Sequence, residues 1–205
     1  MTRITVVDHG AGNLVSITQG IARAGAQPVI AERPSELAGA AGVVLPGVGA
    51  TGAAMERLGA AGWPLVLQEL DLPLLGICVG LQVLFEESEE DGGPCLGMVA
   101  GRVERLKDAP RLPHIGWNDL SLTGPDPLFD GLPDRPTFYF VHSYAPVPAD
   151  RAVVMAHAEH GRPFCAAVRL GRVAGVQFHP ERSGPNGLRV LGNFVRGCAE
   201  AADAA

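Results

Sequence analysis

Three side chains in this sequence could together carry out nucleophilic catalysis: the thiol of Cys78, the imidazole of His179 and the carboxylate of Glu181. Residues 76–80 read G-I-C-V-G, a pattern typical of a strand-turn-helix elbow that presents a nucleophile. The flanking glycines lack the Cβ atoms that would collide in such a turn. The turn also places the sulfur at a helix N-terminus, which favours the thiolate. For Cys78 taken alone, a buried structural cysteine is the alternative.

His179 and Glu181 are separated by Pro180, which favours an extended backbone at the histidine. In an extended chain, residues i and i+2 face the same side, so the carboxylate can orient the imidazole. His179 is then expected to take the proton of the thiol and later to protonate a departing amine. His-Pro-Glu taken alone is more typical of a surface loop after a strand, and its combination with the elbow favours a Cys-His-Glu triad.

A glycine-rich loop at residues 46–52 reads P-G-V-G-A-T-G and satisfies the G-x-G-x-x-G pattern of dinucleotide-binding proteins. That fingerprint normally closes the first strand-helix turn, whereas this loop follows the third expected strand. Its other possible use is as an oxyanion loop. Backbone amides of this loop and of Val79 would then stabilise the negative oxygen that develops in acyl transfer.

Composition excludes several classes of protein. The 205 residues contain 16 Lys and Arg against 22 Asp and Glu, a net charge of −6, which argues against nucleic acid or anionic lipid as a partner. The uncharged run 37–55 holds five glycines and a proline, which argues against a membrane span. The sequence opens without a secretory signal, so we expect a cytoplasmic protein. The spacing of Cys and His predicts no metal site.

Hydrophobic periodicity predicts alternating strands and helices over the first ninety residues and mostly extended segments from Met98 onward. The expected strands are 3–8, 26–31, 43–45, 73–77, 98–106, 117–122, 137–141, 153–158, 164–170 and 173–179. The expected helices are 13–25, a short one from Pro34, 53–58, 65–70, 79–86 and 187–199, with a frayed tail beyond. This pattern predicts an α/β fold: a mostly parallel central sheet with helices on both faces, and an added group of antiparallel strands in the second half. Ligands are then expected at the carboxyl ends of the parallel strands.

The elbow, the glycine-rich loop and the run V-Q-F-H-P-E at residues 176–181 together resemble the class I, or triad, glutamine amidotransferases. Three further runs narrow the resemblance to the glutaminase subunits of imidazole glycerol phosphate synthases. They are D-H-G-A-G-N-L at 8–14, L-P-H-I-G-W-N at 112–118 and F-Y-F-V-H-S-Y at 138–144. The resemblance covers essentially the whole chain and implies one class I glutamine amidotransferase domain, residues 1–205.

The resemblance implies that glutamine is hydrolysed to glutamate through a thioester on Cys78, without a cofactor. It further implies a heterodimer with a cyclase subunit, a (β/α)₈ barrel that receives the ammonia. The cyclase forms imidazole glycerol phosphate and aminoimidazole carboxamide ribotide in histidine biosynthesis.

The matching motifs also imply roles for individual residues. The set expected around the bound glutamine is Gly47, Val48, Gly49, Val79, Gln82, Glu90, Ser143 and Tyr144. The set expected near the cyclase is Asn13, Trp117, Asn118, Tyr139 and Arg182, with buried core as the alternative for the two aromatic residues. Two positions depart from the family: His9 stands where tyrosine is common, and Arg182 stands where lysine is expected.

Two other functions remain open from the residues alone. G-x-C-x-G also fits a cysteine-dependent esterase of the α/β-hydrolase type, and G-x-G-x-x-G also fits a nucleotide-binding module. For a glutaminase, the orientation of the Gly47–Val48 peptide decides whether its amide faces the oxyanion. We hypothesise that binding of the partner sets this orientation.

Overall fold

The computed structural model describes residues 1–204, and Ala205 lies outside the described residues. The α-helices are α1 Leu14–Arg23, α2 Thr51–Ala60, α3 Trp63–Gln68, α4 Val79–Gln82 and α5 Gly184–Asp203. The first seven strands are β1 Arg3–Val7, β2 Gln27–Ala31, β3 Gly42–Gly47, β4 Leu74–Cys78, β5 Glu87–Ser88, β6 Gly93–Pro94 and β7 Gly101–Arg105. The remaining strands are β8 His114–Asp119, β9 Ser121–Leu122, β10 Thr137–His142, β11 Tyr144–Pro148, β12 Val154–His160, β13 Arg162–Leu170 and β14 Val173–Val176. Short 3-10 turns lie at Pro34–Leu37, Pro127–Phe129, Arg151–Val153 and Pro180–Arg182.

The largest sheet has the strand order β2-β1-β3-β4-β14-β13-β12-β9. Neighbouring strands from β2 to β14 are parallel, and those from β14 to β9 are antiparallel. The connections through α1 and through α2 and α3 run in opposite directions along this order, so right-handed crossovers put these helices on opposite faces. Helix α5 packs beside α1. The predicted α/β fold, a mostly parallel sheet with antiparallel strands added in the second half, is confirmed.

Two smaller sheets lie apart from the main sheet, and the sequence analysis did not predict this division of the later strands. Strand β10 pairs with β8 alone, and β11, β7, β5 and β6 form a separate four-stranded sheet. The sequence analysis missed β11, which contains Pro146 and Pro148. Proline cannot donate to a strand ladder, but β11 lies at the edge of its sheet, where proline is tolerated.

The centre of the main sheet is the most deeply buried part of the backbone. Every residue of β3 and β4 is buried, as expected for parallel strands covered on both faces. Next to them, Phe138 of β10 stacks on Phe178, which follows β14, with ring centroids 4.0 Å apart. The carboxyl ends of β3, β4 and β14 therefore meet on a rigid, well-packed platform.

Two helix predictions were wrong in length. The helix expected over 79–86 ends at Gln82 because the carbonyls of residues 83–86 accept hydrogen bonds from the amides of residues 95–99 instead of continuing the helix. The tail expected to fray continues as helix α5 to Asp203, in keeping with the high helix propensity of its alanines. Within residues 1–204, no helix combines the length and apolar character needed to cross a bilayer.

Candidate active site

The elbow expected at Cys78 is present between β4 and α4. Cys78 has φ 54° and ψ −110°. These dihedral angles are energetically unfavourable for every residue except glycine, and such strained residues are common at functional sites. The neighbouring glycines make this turn possible. A Cβ on Gly80 would overlap the carbonyl oxygen of Leu45, and a Cβ on Gly76 would lie 2.6 Å from the carbonyl oxygen of Gly80.

His179 and Glu181 lie together beside the elbow. His179 Nδ1 and Glu181 Oε1 are 2.8 Å apart, and their side chains are 4% and 5% exposed. Cys78 and His179 line the same cavity. In the described part of the chain, His179 Nε2 is buried and has no hydrogen-bond partner, so this nitrogen is the one left to exchange a proton at the sulfur.

Electrostatics around His179 favour its protonated form. Burial by itself would lower the pKa of His179, but the interactions of its ring with Cys78 and with the Glu181 carboxylate outweigh burial and raise the pKa to about 10. A positive imidazole beside the sulfur in turn favours the thiolate, the nucleophilic form of cysteine. The three side chains can therefore form an imidazolium-thiolate pair that is oriented by a carboxylate.

The cavity in front of Cys78 is small, about 130 Å³. Its lining consists of Val48, Gly49, Cys78, Val79, Gln82, Glu90, Val141, His142, Ser143, Tyr144 and His179. Most of these residues were expected there from the sequence. Two expected site residues lie just behind the lining: Glu181 supports His179, and Gly47 pairs with Cys78 across β3 and β4. A cavity of this size suits a small side chain and disfavours a dinucleotide.

A larger groove of about 480 Å³ lies elsewhere, between β7, β11 and β13. Its lining includes Arg105, Lys107, Arg151 and Arg162 but no member of the Cys-His-Glu set. Size alone would select this groove, whereas the arrangement of a nucleophile, a base and an orienting carboxylate selects the smaller cavity.

Gln82 and Glu90 occupy fixed positions at the rim of the cavity. The side-chain nitrogen of Gln82 donates to the carbonyl oxygen of Tyr144 at 2.9 Å and to Gln177 Oε1 at 3.1 Å. Glu90 Oε2 accepts from the amide of Thr51 at 2.9 Å and so caps helix α2, whose own N-cap residue, Ala50, has no capping side chain. The carboxylate of Glu90 therefore has a structural contact as well as a place at the cavity.

Sequence reasoning missed three residues of the site. Val141 and His142 line the cavity from the end of β10, and Gln177 donates its side-chain nitrogen to Cys78 Sγ at 3.6 Å. The available signal for Gln177 was a polar residue inside the apolar run 173–178, because a fully buried amide needs partners.

His142 and His114 form a buried pair next to the cavity. His114 Nδ1 lies 3.1 Å from His142 Nε2, and His142 Nδ1 lies 2.9 Å from the carbonyl oxygen of Tyr144. Burial, reinforced by the charge that His160 would carry, lowers the pKa of His114 to about 4. Burial lowers the pKa of His142 to about 3, so both rings are neutral at pH 7. Among residues 1–204, no group of three or more His, Cys, Asp or Glu side chains could hold a metal ion.

Three of the residues expected near a partner form a patch on the surface. Trp117 is 59% exposed, so it does not belong to the core, and its ring meets Tyr139 edge to face at 6.1 Å. The guanidinium of Arg182 lies 4.5 Å from the centroid of the Tyr139 ring. Asn13 is exposed and caps α1, and Asn118 is half-buried. Contact of these residues with a partner stays a prediction.

His9, one of the two departures from the family, is buried below the glycine-rich loop. Its Nε2 lies 2.8 Å from the carbonyl oxygen of Pro46, the residue before the loop glycines. His9 therefore holds the carboxyl end of β3 in place.

The chain is similar along nearly its whole length to known glutamine amidotransferases. The family model described as "Glutamine amidotransferase class-I" matches residues 5–198. The imidazole glycerol phosphate synthase subunit HisH of Synechococcus sp. (strain JA-3-3Ab) is 50% identical over 200 residues, which cover 94% of this chain and 93% of that protein. The subunit of the same name from Dehalococcoides mccartyi (strain CBDB1) is 45% identical over 197 residues, which cover 94% and 96%. The structure of PurLQS from Thermotoga maritima shares the fold, with a TM-score of 0.75 at 19% identity over 96% of this chain and 98% of that chain.

Proposed function

Since the chain belongs to the class I glutamine amidotransferase family, we propose that it is the glutaminase subunit of an imidazole glycerol phosphate synthase. It hydrolyses glutamine to glutamate and delivers ammonia to a cyclase subunit. The observation that carries this proposal is the meeting of Cys78, His179 and Glu181 at one small cavity, with the cysteine in a strained elbow. The full-length similarity to curated subunits of that synthase supports the choice of reaction.

In the first half of the reaction, the thiolate of Cys78 attacks the side-chain amide carbon of glutamine. A carbon-sulfur bond forms, and negative charge moves to the amide oxygen. Backbone amides of Val79 and of the loop residues Gly47, Val48 and Gly49 stabilise that oxygen; one such donor is commonly worth about 3 kcal/mol. His179 Nε2 then gives its proton to the leaving nitrogen, the carbon-nitrogen bond breaks, and ammonia departs from a thioester.

In the second half, a water molecule replaces ammonia in front of the thioester. His179, now neutral, accepts a proton from the water as the water oxygen attacks the carbonyl carbon. The carbon-sulfur bond breaks, glutamate leaves, and the imidazolium-thiolate pair is restored. Glu181 keeps the proton of Nδ1 on the side away from the reaction throughout, which leaves Nε2 as the exchanging atom.

The substrate glutamine is held at the rim of the cavity by Gln82, Glu90 and the backbone of Ser143 and Tyr144. Both N–H groups of Gln82 are committed within the protein, to Tyr144 and Gln177. The side-chain oxygen of Gln82 is therefore the atom that accepts a hydrogen bond from glutamine. The carboxylate of Glu90, which also caps α2, attracts the positive amino group of the substrate.

We place the cyclase, a (β/α)₈ barrel in a heterodimer with this chain, over the patch of Trp117, Tyr139 and Arg182, flanked by Asn13 and Asn118. The exposed fraction of Trp117 supports this placement, because large exposed aromatic side chains are common at protein interfaces. The patch is also tied directly to the site, since the amide of His179 donates to the carbonyl oxygen of Tyr139 at 2.9 Å. We assign residues 1–205 to one domain that acts in the cytoplasm, where unpaired cysteines stay reduced.

The test is the variant Cys78→Ala in the presence of the cyclase. We expect glutamine-dependent synthesis to disappear, a loss of at least about 10³-fold, while synthesis from added ammonium salt continues at the wild-type rate. Cys95→Ala is the matched control, because Cys95 lies outside the cavity, and it should retain both activities. Wild-type glutaminase activity should rise when the cyclase is added.

Three results contradict the proposal. They are glutamine hydrolysis by Cys78→Ala, cleavage of small acyl esters by the wild type without glutamine turnover, and saturable dinucleotide binding at the loop.

A further inference from the structure

Gln177 is a fully buried amide in contact with the reactive sulfur. It directly follows β14, the strand next to β4, and its side-chain nitrogen lies 3.6 Å from Cys78 Sγ. Gln177 is 0% exposed, and it does not line the cavity in which glutamine is expected. Nothing in the two half-reactions described above uses this side chain.

The orientation of the Gln177 amide follows from its neighbours. The backbone carbonyl oxygen of Tyr144 can only accept hydrogen bonds, so the nitrogen of Gln82, 2.9 Å away, is the end of that amide that faces it. The same nitrogen lies 3.1 Å from one end of the Gln177 amide, which must therefore be the oxygen. The opposite end of Gln177, the end next to the sulfur, is then the N–H donor.

The carbonyl oxygen of Tyr144 also accepts a hydrogen bond from His142, which lies on its other side. Asn118 accepts from the amide of Asp119 through its oxygen, so its nitrogen faces His114 Nε2 at 3.3 Å. His114 then carries its proton on Nδ1 and donates to His142 Nε2, and His142 donates from Nδ1 to the Tyr144 carbonyl. One self-consistent set of donors thus fixes the direction of every hydrogen bond from the surface to Cys78.

We propose that Gln177 is a further catalytic residue of the glutaminase reaction, a neutral donor that holds Cys78 Sγ and stabilises it as the thiolate. This inference rests on the proposed function only for the reaction that it names. A hydrogen bond to a charged acceptor is stronger than one to a neutral acceptor. The donation therefore raises the share of Cys78 that is present as the thiolate before attack, and it strengthens again as negative charge returns to the sulfur when the thioester breaks. His179 moves protons, whereas the amide of Gln177 stays a donor at every step.

The position of Gln177 predicts a larger effect on the chemical step than on the binding of glutamine. It touches the sulfur but not the cavity, so its loss should lower kcat and leave KM for glutamine nearly unchanged. Gln177→Met keeps the length and burial of the side chain and removes the donor to the sulfur. It also removes the acceptor for Gln82, which keeps its hydrogen bond to Tyr144. We expect kcat to fall about tenfold with KM within about twofold of wild type, since a hydrogen bond to a charged group is worth about that factor or more.

A second measurement needs no glutamine. The rate of iodoacetamide reaction at Cys78, followed by mass spectrometry of its peptide from pH 5 to 10, should fall about tenfold at pH 7 in Gln177→Met, with its midpoint moved to higher pH. Gln68→Met is the matched control, because Gln68 donates to the carbonyl of Leu96 away from the site. It should match wild type in both measurements.

The outcomes distinguish this proposal from the proposed function. A wild type without glutaminase activity contradicts the function, while the alkylation profile still tests Gln177. Unchanged kcat and alkylation in a folded Gln177→Met variant overturn the proposal, and so does a rise in KM that accounts for the whole loss.

If the variant does not fold, the side-chain amide resonance of Gln177 in wild-type protein replaces it. That resonance should shift with pH together with Cys78 reactivity and stay constant in Cys78→Ala. Constancy in both proteins overturns the proposal.

Discussion

Two groups of buried side chains at the same cavity contain histidine, and the histidines differ in charge. The imidazole is protonated in one group and neutral in the other. The reactive cluster consists of Cys78, His179 and Glu181, and the neutral pair consists of His114 and His142. The pKa of His179 is raised to about 10, whereas the pKa values of His114 and His142 are lowered to about 4 and about 3. All three residues are at most 6% exposed, so a difference in burial does not explain the difference in their pKa values.

The difference lies in the chemical type of the partners. Burial destabilises a charged imidazole in both places, but the carboxylate and the thiol beside His179 offset this effect. His114 and His142 have only each other, Asn118 and a backbone carbonyl as hydrogen-bond partners, and these are satisfied by neutral rings. A buried histidine next to an acid is thus suited to proton transfer, and one next to amides is suited to positioning.

The largest effect should come from removing the charge of the reactive cluster. Glu181→Gln keeps the size of the side chain but removes the negative charge and the fixed acceptor at Nδ1, so we expect kcat to fall about 10³- to 10⁴-fold. Glutamine turnover with the cyclase present measures this loss. The control is Glu159→Gln, whose exposed side chain lies outside the cavity and should have no effect. A loss below tenfold would show that the carboxylate does not distinguish the two groups.

The second effect concerns stability in acid and tests the neutral pair. An unfolded histidine titrates near 6.5, but folded His114 and His142 titrate near 4 and 3, so the unfolded chain binds protons first as pH falls. The stability that the pair contributes is complete above pH 6.5 and is lost as the pH falls from 6.5 through 4 and 3. We expect His114→Phe to reduce this loss by an amount on the order of 2 kcal/mol between pH 7 and 4.

Chemical denaturation of wild type and His114→Phe at several pH values measures this difference. Phe138→Leu serves as the control, because it weakens the core without removing a titratable group and should destabilise the protein equally at every pH. If the free energies of unfolding of wild type and His114→Phe run parallel from pH 7 to 4, the neutral pair does not behave as described.

The smallest effect should come from the outer end of the neutral pair. Asn118→Ala removes donors to His114 Nε2 and to the carbonyl of Glu159, at 3.3 and 2.8 Å. We expect the isolated chain to lose about 1 kcal/mol of unfolding free energy and KM for glutamine to rise two- to threefold. Asn186→Ala, which removes one bond to the carbonyl of Thr137, should cost similar stability without changing KM. If Asn118→Ala lowers kcat as much as Glu181→Gln does, the neutral pair takes part in the chemical step and its role is not confined to positioning.

The reactive cluster could be predicted from sequence because its signals are local. The elbow glycines lie within two residues of Cys78, and His179 and Glu181 are two residues apart, so backbone geometry alone aligns each part. Alternating strands and helices then predict that the carboxyl ends of parallel strands meet. The order of β3, β4 and β14 agrees with that rule.

The supporting contacts could not be predicted because they depend on the register of distant strands. Gln177 meets Cys78 across a separation of 99 residues, and Gln82 meets Gln177 across 95. Glu90 was placed only by the resemblance, since nothing local shows that its carboxylate caps α2. The helix expected over 79–86 ends early for the same kind of reason, because partners at 95–99 take its carbonyls.

The strands β4 and β14, which hold the reacting groups, are neighbours in the middle of the main sheet, with β2 and β9 as its outermost members. Opening motions start where a sheet has a free margin and few packed neighbours. Local opening of the edge strands β2 and β9 therefore leaves the distance between the Cys78 sulfur and the His179 imidazole unchanged. Amide protons of the two inner strands should therefore be among the last to exchange with deuterated water.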